Sequence, residues 1–252
     1  MTLIVPFLLD ERAFRKGIQH WLSFDFSIGV NRHLLLGGLS GSGKTTLLRI
    51  LLARACFFFA KNGRPLILSI IDPKNDSDFD FLDGLPNIYR GEDAPKGLDA
   101  VYNSFKARQS KIDTSRVLHI AVIDEAAAIF QLIEDKKQRD NAMRQFMLLT
   151  LLSRSFEFAI FAVAQQPSAA SLGSSGVRDQ FGNLCLLSEA GSETLNMMFD
   201  SGARETIKAF GSVGNRAGWY MSARGVLSPV RVPHIEEMQK VNQHLIKQIG
   251  GQ

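Results

Sequence analysis

Apolar residues in this chain fall into short unbroken runs, separated by longer stretches where they recur every three or four positions. Short runs bounded by Gly, Pro or Asp suit strands buried on both faces, and the periodic stretches suit helices laid over them. Residues 33–36, 65–71, 117–123, 158–164 and 184–187 read as five such strands. Residues 45–60, 94–111, most of 125–153 and 192–199 read as helices. Residues 168–176 are rich in Gly and Ser and read as a loop. Residues 218–222 and 226–232 read as a closing hairpin, and 235–249 as a last helix set between Pro233 and Gly250-Gly251. The alternation predicts an α/β domain with a central, mostly parallel sheet flanked by helices. No repeat, low-complexity tract or linker interrupts it, so residues 1–252 are expected to form one domain. Residues 1–30 are then an N-terminal extension and 233–252 a C-terminal helix.

Composition adds limits. With 45% hydrophobic and 21% charged residues, the chain can bury a sizeable core. A net charge of +4, from 29 basic and 25 acidic residues, is compatible with a polyanionic partner without requiring one. Cys56 and Cys185 both sit in apolar runs and are expected to be buried reduced thiols. The first residues carry no basic stretch ahead of their apolar run, unlike a secretory leader. The apolar stretch 47–60 is interrupted by Arg49 and Arg54 and is too short to cross a bilayer. The expectation is a cytoplasmic protein with no transmembrane segment, reaching any membrane through a partner.

The strongest chemical signal is Gly38-Leu39-Ser40-Gly41-Ser42-Gly43-Lys44-Thr45, which matches G-x-x-x-x-G-K-[ST] between a strand and a helix. Glycines let the backbone curl so that several N–H groups point into one concavity at a helix N-terminus, an anion cradle. ATP is therefore expected at Gly38, Ser40, Gly41, Ser42, Gly43, Lys44, Thr45 and Thr46. Lys44 reaches the β- and γ-phosphates, and the Thr45 hydroxyl ligates Mg²⁺. An apolar strand ending in Asp124-Glu125 is the second signal: Asp124 is expected to hold the Mg²⁺ shell and Glu125 to polarise the attacking water. The acid pair favours hydrolysis over phosphoryl transfer to another acceptor. Gln165, at the tip of the fourth strand, is the candidate γ-phosphate sensor.

These motifs together resemble the motor domain of the FtsK/SpoIIIE/HerA superfamily of DNA-pumping ATPases. The resemblance rests on GLSGSGKT, on SIIDPKN at 69–75, on AVIDEAA at 121–127 and on FAVAQQPSA at 161–169. Asp72-Pro73-Lys74 is more telling than the P-loop, which many unrelated proteins share. The stretch from Val177 to Asn183 is similar to the branch found on conjugative plasmids and mobile elements. Two departures stand out: the arginine usual after the sensor glutamine is Gln166, and another at the fifth strand is Leu184.

The resemblance implies a RecA-like P-loop fold, with Asp124-Glu125 one strand removed from the P-loop strand. It implies ATP hydrolysis between subunits of a hexameric ring, DNA as partner, and a role in conjugative transfer or mobile-element maintenance. Membrane-associated or mobile-element proteins are possible further partners. It also implies an arginine acting in trans, for which Arg178 is the first candidate, Arg154 the second and Arg204 a third. DNA-tracking clusters are read at Lys106, Arg108, Lys111 and Arg116, and at Lys136, Lys137, Arg139 and Arg144. Two other uses of such a motor stay open: type VII protein secretion and viral-type genome packaging.

Overall fold

The protein is described from a computed structural model covering residues 3–168, 172 and 177–251. Most of the 168–176 loop lies outside the described residues. Ten strands make one sheet: β1 Ile4–Asp10, β2 Trp21–Asp25, β3 Leu34–Gly38, β4 Leu66–Asp72, β5 Ile88–Arg90, β6 Leu118–Asp124, β7 Phe158–Ala164, β8 Asn183–Leu187, β9 Ala217–Met221 and β10 Leu227–Arg231. Their order is β2-β1-β10-β9-β8-β3-β7-β6-β4-β5. The six strands from β8 to β5 run parallel, while β9, β10, β1 and β2 pair antiparallel. This is the RecA-like arrangement expected, with the β6 acids one strand away from β3 and β7 between them.

The parallel strands read as continuous apolar runs because both faces are covered. Every residue of β3 and of β7 is buried. On one face lie α2 (Lys44–Lys61) and the C-terminal helix α8 (Met238–Gly250), sharing a core with Leu34, Leu36, Phe161 and Cys185. On the other lie α3 (Ala94–Gln109), α4 (Ala126–Gln131), α5 (Lys136–Leu152), α6 (Ser192–Met198) and α7 (Ser201–Phe210). Their core holds Leu35, Ile123, Phe146, Ile160 and Leu186. Both cysteines are buried and free, as expected.

Four features differ from the sequence reading, one being the short edge strand β5, which was not expected. Residues 4–25 extend the sheet as β1 and β2, joined by the short helix α1 (Glu11–Phe14). Buried Glu11 ties them to β10 through Arg231 and also pairs with Arg15. The helical stretch 125–153 is two helices, because the Asp135 carboxylate accepts from the Gln138 N–H and starts a new one. Helix α7 appears where no element was expected, capped in the same way by Asp200 on the Ala203 N–H.

Asn183 locks the start of β8. Its amide donates to the Asn31 and His33 carbonyls, and its oxygen accepts from the Tyr220 hydroxyl at 2.8 Å and from the Ala223 N–H. The hairpin is thereby tied to the strand beside β3.

A Cβ on Gly218 would stand 2.0 Å from the Leu186 carbonyl oxygen, so the β8–β9 contact admits only glycine. Gly218→Ala is expected to cost about 3 kcal/mol, as overpacking does. Gly202→Ala, in α7 with its nearest neighbour at 3.7 Å, should be neutral or slightly stabilising. Urea unfolding of the two variants beside the parent checks the contrast.

Candidate active site

The parallel register brings the β3, β6, β7 and β4 tips to one edge: Gly37 is level with Ala164, Asp124 with Val163, and Ile71 with Ile123. Beyond β3 the chain makes the P-loop turn. Gly38, Gly41 and Gly43 hold positive φ of 146°, 77° and 97°, conformations that side chains resist. At Gly38 a Cβ would also meet the Leu187 carbonyl oxygen at 2.5 Å. Lys44 begins α2, and its Nζ folds back onto the carbonyls of Gly38 at 2.6 Å and Leu39 at 2.9 Å. Burial pushes its ammonium pKa down; Asp124 and Glu125 pull it back up, and Lys74 adds to the lowering.

One cleft spans these tips. Of the residues expected there, Ser40, Gly41, Gly43, Lys44, Thr45, Thr46, Asp124 and Gln165 line it. Gly38 and Ser42 do not line it, and the buried Ser42 hydroxyl has no hydrogen-bond partner among the described residues. Glu125 stands at the rim in the left-handed region, φ 55°, as the residue before α4. Its N–H donates to the Val163 carbonyl at 2.8 Å, and its carboxylate accepts from the Gln165 N–H at 3.0 Å. The Gln165 backbone thus holds the glutamate and leaves the side chain exposed at the cleft. Asp124 is pushed up to about 6, first by burial and then by Asp72 and Glu125, with Lys74 and Lys44 opposing.

Thr45 and Asp124 offer a hydroxyl and a carboxylate beside the P-loop, and Asp76 and Asp78 also line the cleft. Among the described residues no group of three or more His, Cys, Asp or Glu could cage a metal. That sparse oxygen set suits Mg²⁺, which dehydrates reluctantly and is held through one or two protein oxygens plus substrate phosphates.

Five lining residues were not anticipated: Asp76, Asp78, Val163 and two cations, Lys74 and Arg216. Lys74, after β4, pairs with the Glu125 carboxylate at 3.3 Å. Arg216, in left-handed backbone (φ 54°) just before β9, reaches to 3.8 Å from the position of a Cβ on Gly43. Arg216 lies far from the P-loop in sequence, and no local pattern singles it out.

The three trans-arginine candidates do not line this cleft. Arg178, in a turn ahead of β8, donates to the Met198 carbonyl and pairs with Asp179. Arg204 donates to the Asn196 side chain and the Asp200 carbonyl. Arg154 is exposed ahead of β7, at the opposite edge of the sheet, with no hydrogen bond or ion pair among the described residues. The first basic cluster needs correction. Arg108 is 5% exposed, pairs with Asp113, donates to the Val117 and Phe156 carbonyls and covers the Phe158 ring. It holds the loop before β6 and is no surface phosphate contact, while Lys106, Lys111 and Arg116 are exposed.

No family model matches the sequence, and no curated protein matches it. Solved structures do. Over 99% of its length the chain is similar to the cytoplasmic domain of the Thermomonospora curvata type VII secretion ATPase EccC, at 18% identity and TM-score 0.69, covering 31% of that chain. Over 97% it is similar to the pCW3 conjugation coupling protein TcpA, in a monomer form with ATPγS, at 16% identity and TM-score 0.68, covering 69% of that chain. Over 82% it is similar to the genome-packaging NTPase B204 of Sulfolobus turreted icosahedral virus 2 with AMPPCP, at 14% identity and TM-score 0.52, covering 99% of that chain. The chain therefore spans about a third of the EccC polypeptide it matches. The chain shares the fold of these ATPases and of the packaging NTPase. No helix among the described residues is long and apolar enough to cross a membrane.

Asp124 supplies a pH test. Its carboxyl rises from 3.8 to about 6 on folding, so the folded protein keeps a proton that the unfolded chain has lost between those values. Stability falls as pH rises through that window, and the whole cost stands above it. Asp124→Asn is therefore expected to raise the Tm of nucleotide-free, metal-free protein at pH 8, by the equivalent of about 3 kcal/mol. The gain should shrink as pH falls from about 6 toward 4. Thermal melts across that range decide it, and an unchanged Tm at pH 8 contradicts it.

Proposed function

We propose that this chain is the motor unit of an ATP-driven DNA translocase that hydrolyses ATP between subunits of a homo-oligomeric ring, the hexamer being the expected form. One observation carries the reading: Lys44, Asp124 and Gln165 line a single cleft, and Glu125, the residue after β6, is held beside it by the Gln165 N–H and the Lys74 ammonium. In that cleft the loop amides and Lys44 clasp the β- and γ-phosphates, with Thr45 and Asp124 holding the Mg²⁺ that neutralises phosphate charge. Glu125 takes the proton of a water aligned by Gln165. The water oxygen bonds to the γ-phosphorus as the bond to the β–γ bridging oxygen breaks, and ADP and phosphate leave.

Arg216 adds a cation to the cleft from the same subunit. A second arginine arrives from the neighbouring subunit to stabilise the charge that develops on the γ-phosphate. Arg154 has the free guanidinium for that role, whereas Arg178 already holds the Met198 carbonyl. Exposed Lys106, Lys111 and Arg116, with Lys136, Lys137 and Arg144 on α5, are the candidate DNA-backbone contacts. A conjugative or mobile-element setting follows from the sequence pattern between Val177 and Asn183 and is supported by the likeness to TcpA. The likeness to EccC supports a second reading, a motor that moves polypeptide.

ATPase assays with and without duplex DNA, on samples of known oligomeric state, separate the two. DNA should stimulate turnover, and DNA affinity should fall steeply with salt. Turnover indifferent to DNA, with no salt-dependent binding, removes the DNA motor. Lys44→Ala should lose nucleotide binding. Glu125→Gln should keep it and lose turnover by about a hundredfold or more. Arg154→Ala should bind ATP, lose turnover, and regain part of it when mixed with Lys44→Ala subunits. Full turnover in Arg154→Ala alone takes that arginine out of the site.

A further inference from the structure

The motif Asp72-Pro73-Lys74-Asn75 has two parts with different tasks. Asp72 is completely buried. One of its oxygens accepts from the Lys74 N–H, the other from the Asp76 N–H, each at 3.1 Å. The Arg90 guanidinium supplies the countercharge at 3.2 Å and also grips the Asp80 and Asp83 carboxylates. Asn75 completes the turn in left-handed backbone, φ 52°. The base of Lys74 is therefore fixed.

Its tip is not. The Lys74 side chain is 33% exposed, lines the nucleotide cleft and makes one ion pair, to Glu125. Glu125, by contrast, has anchors that do not involve the lysine: the Gln165 N–H on its carboxylate and its own N–H on Val163. Removing Lys74 from the pair leaves the glutamate in place with its charge uncompensated. A lysine on a flexible four-carbon stem is a mobile point charge. It goes to whichever nearby anion offers more charge, and a terminal phosphate offers more than one carboxylate.

We infer that Lys74 is a nucleotide-sensing positioning residue: it occupies Glu125 in the empty site and transfers to the terminal phosphate of ATP, freeing Glu125 to take the proton of the attacking water. The inference rests on reading the cleft as an ATP site. ADP, lacking the third phosphate, leaves the Lys74–Glu125 pair intact. The pair thus keeps the base engaged until a triphosphate arrives, and it makes ATP binding and activation of Glu125 one event.

Calorimetric titration with Mg²⁺-ATPγS and with Mg²⁺-ADP tests this in four proteins: the parent, Lys74→Met, Glu125→Gln and the double variant. Lys74→Met should weaken ATPγS binding about tenfold or more and leave ADP binding unchanged. Glu125→Gln releases the lysine beforehand, so it should tighten ATPγS binding and not ADP binding. That gain should vanish in the double variant. A purely structural ion pair predicts equal effects on the two nucleotides, and that result overturns the inference, as does a Glu125→Gln gain that persists without Lys74. ADP affinity reports folding of each variant. Should Lys74→Met not fold, Lys74→Gln replaces it with the same expectations. A parent protein that binds neither nucleotide overturns the ATP-site reading itself.

Discussion

Four parallel strands ending level with one another set the position of every charged group in the cleft. Because β3, β7, β6 and β4 share one register, the P-loop, the Gln165 backbone, the two β6 acids and the Asp72 turn come off the same edge of the sheet. A shift of one residue in a single strand would turn its tip side chain to the opposite face. The strands hold their register because both faces are buried, under α2 and α8 on one side and α3 to α7 on the other. The chemistry is thus supported by packing that is mostly apolar, with a buried Ser69–His119 hydrogen bond between β4 and β6.

On that edge the buried charges divide into satisfied and unsatisfied ones. Asp72 has two backbone N–H groups and a guanidinium, so its charge is fully compensated and its work is architectural. Asp124 lacks such partners, and burial raises its carboxyl to about 6. Among the described residues the Ser42 hydroxyl is buried without a partner, and the Lys44 ammonium bonds only to carbonyls of its own loop. These groups carry free energy that a magnesium-bound triphosphate would recover, since it brings negative charge to the lysine and positive charge to the aspartate. A binding site that is uncomfortable when empty gains affinity when filled.

The arginines follow the same logic of partners. Arg108 sits in a basic stretch that reads as a nucleic-acid contact, yet a carboxylate, two carbonyls and an aromatic ring absorb it. Arg178 is held in the same manner by the Met198 carbonyl. Arg154 and Arg216 are left without partners among the described residues, one on an outer edge and one inside the cleft. Charge counted along the chain does not distinguish these cases; the surroundings of each guanidinium do.

The sequence by itself determined the parallel core strands, the phosphate turn and the two acids, because each is a local pattern. An apolar run between turn residues has few alternatives to a buried strand, and glycine at three positive-φ positions before Lys-Thr has few alternatives to an anion cradle. Local pattern also missed some elements. β1 is an apolar run broken by Pro6, a residue that argues against a strand interior, β2 is mostly half-buried, and the break at Asp135 depends on one capping carboxylate. Only the tertiary structure decided that Lys74 meets Glu125, 51 positions away, that Arg216 turns into the cleft, and that Arg108 is buried. Those contacts join residues on different strands and loops, so their energy comes from the fold as a whole and leaves no periodic trace along the chain.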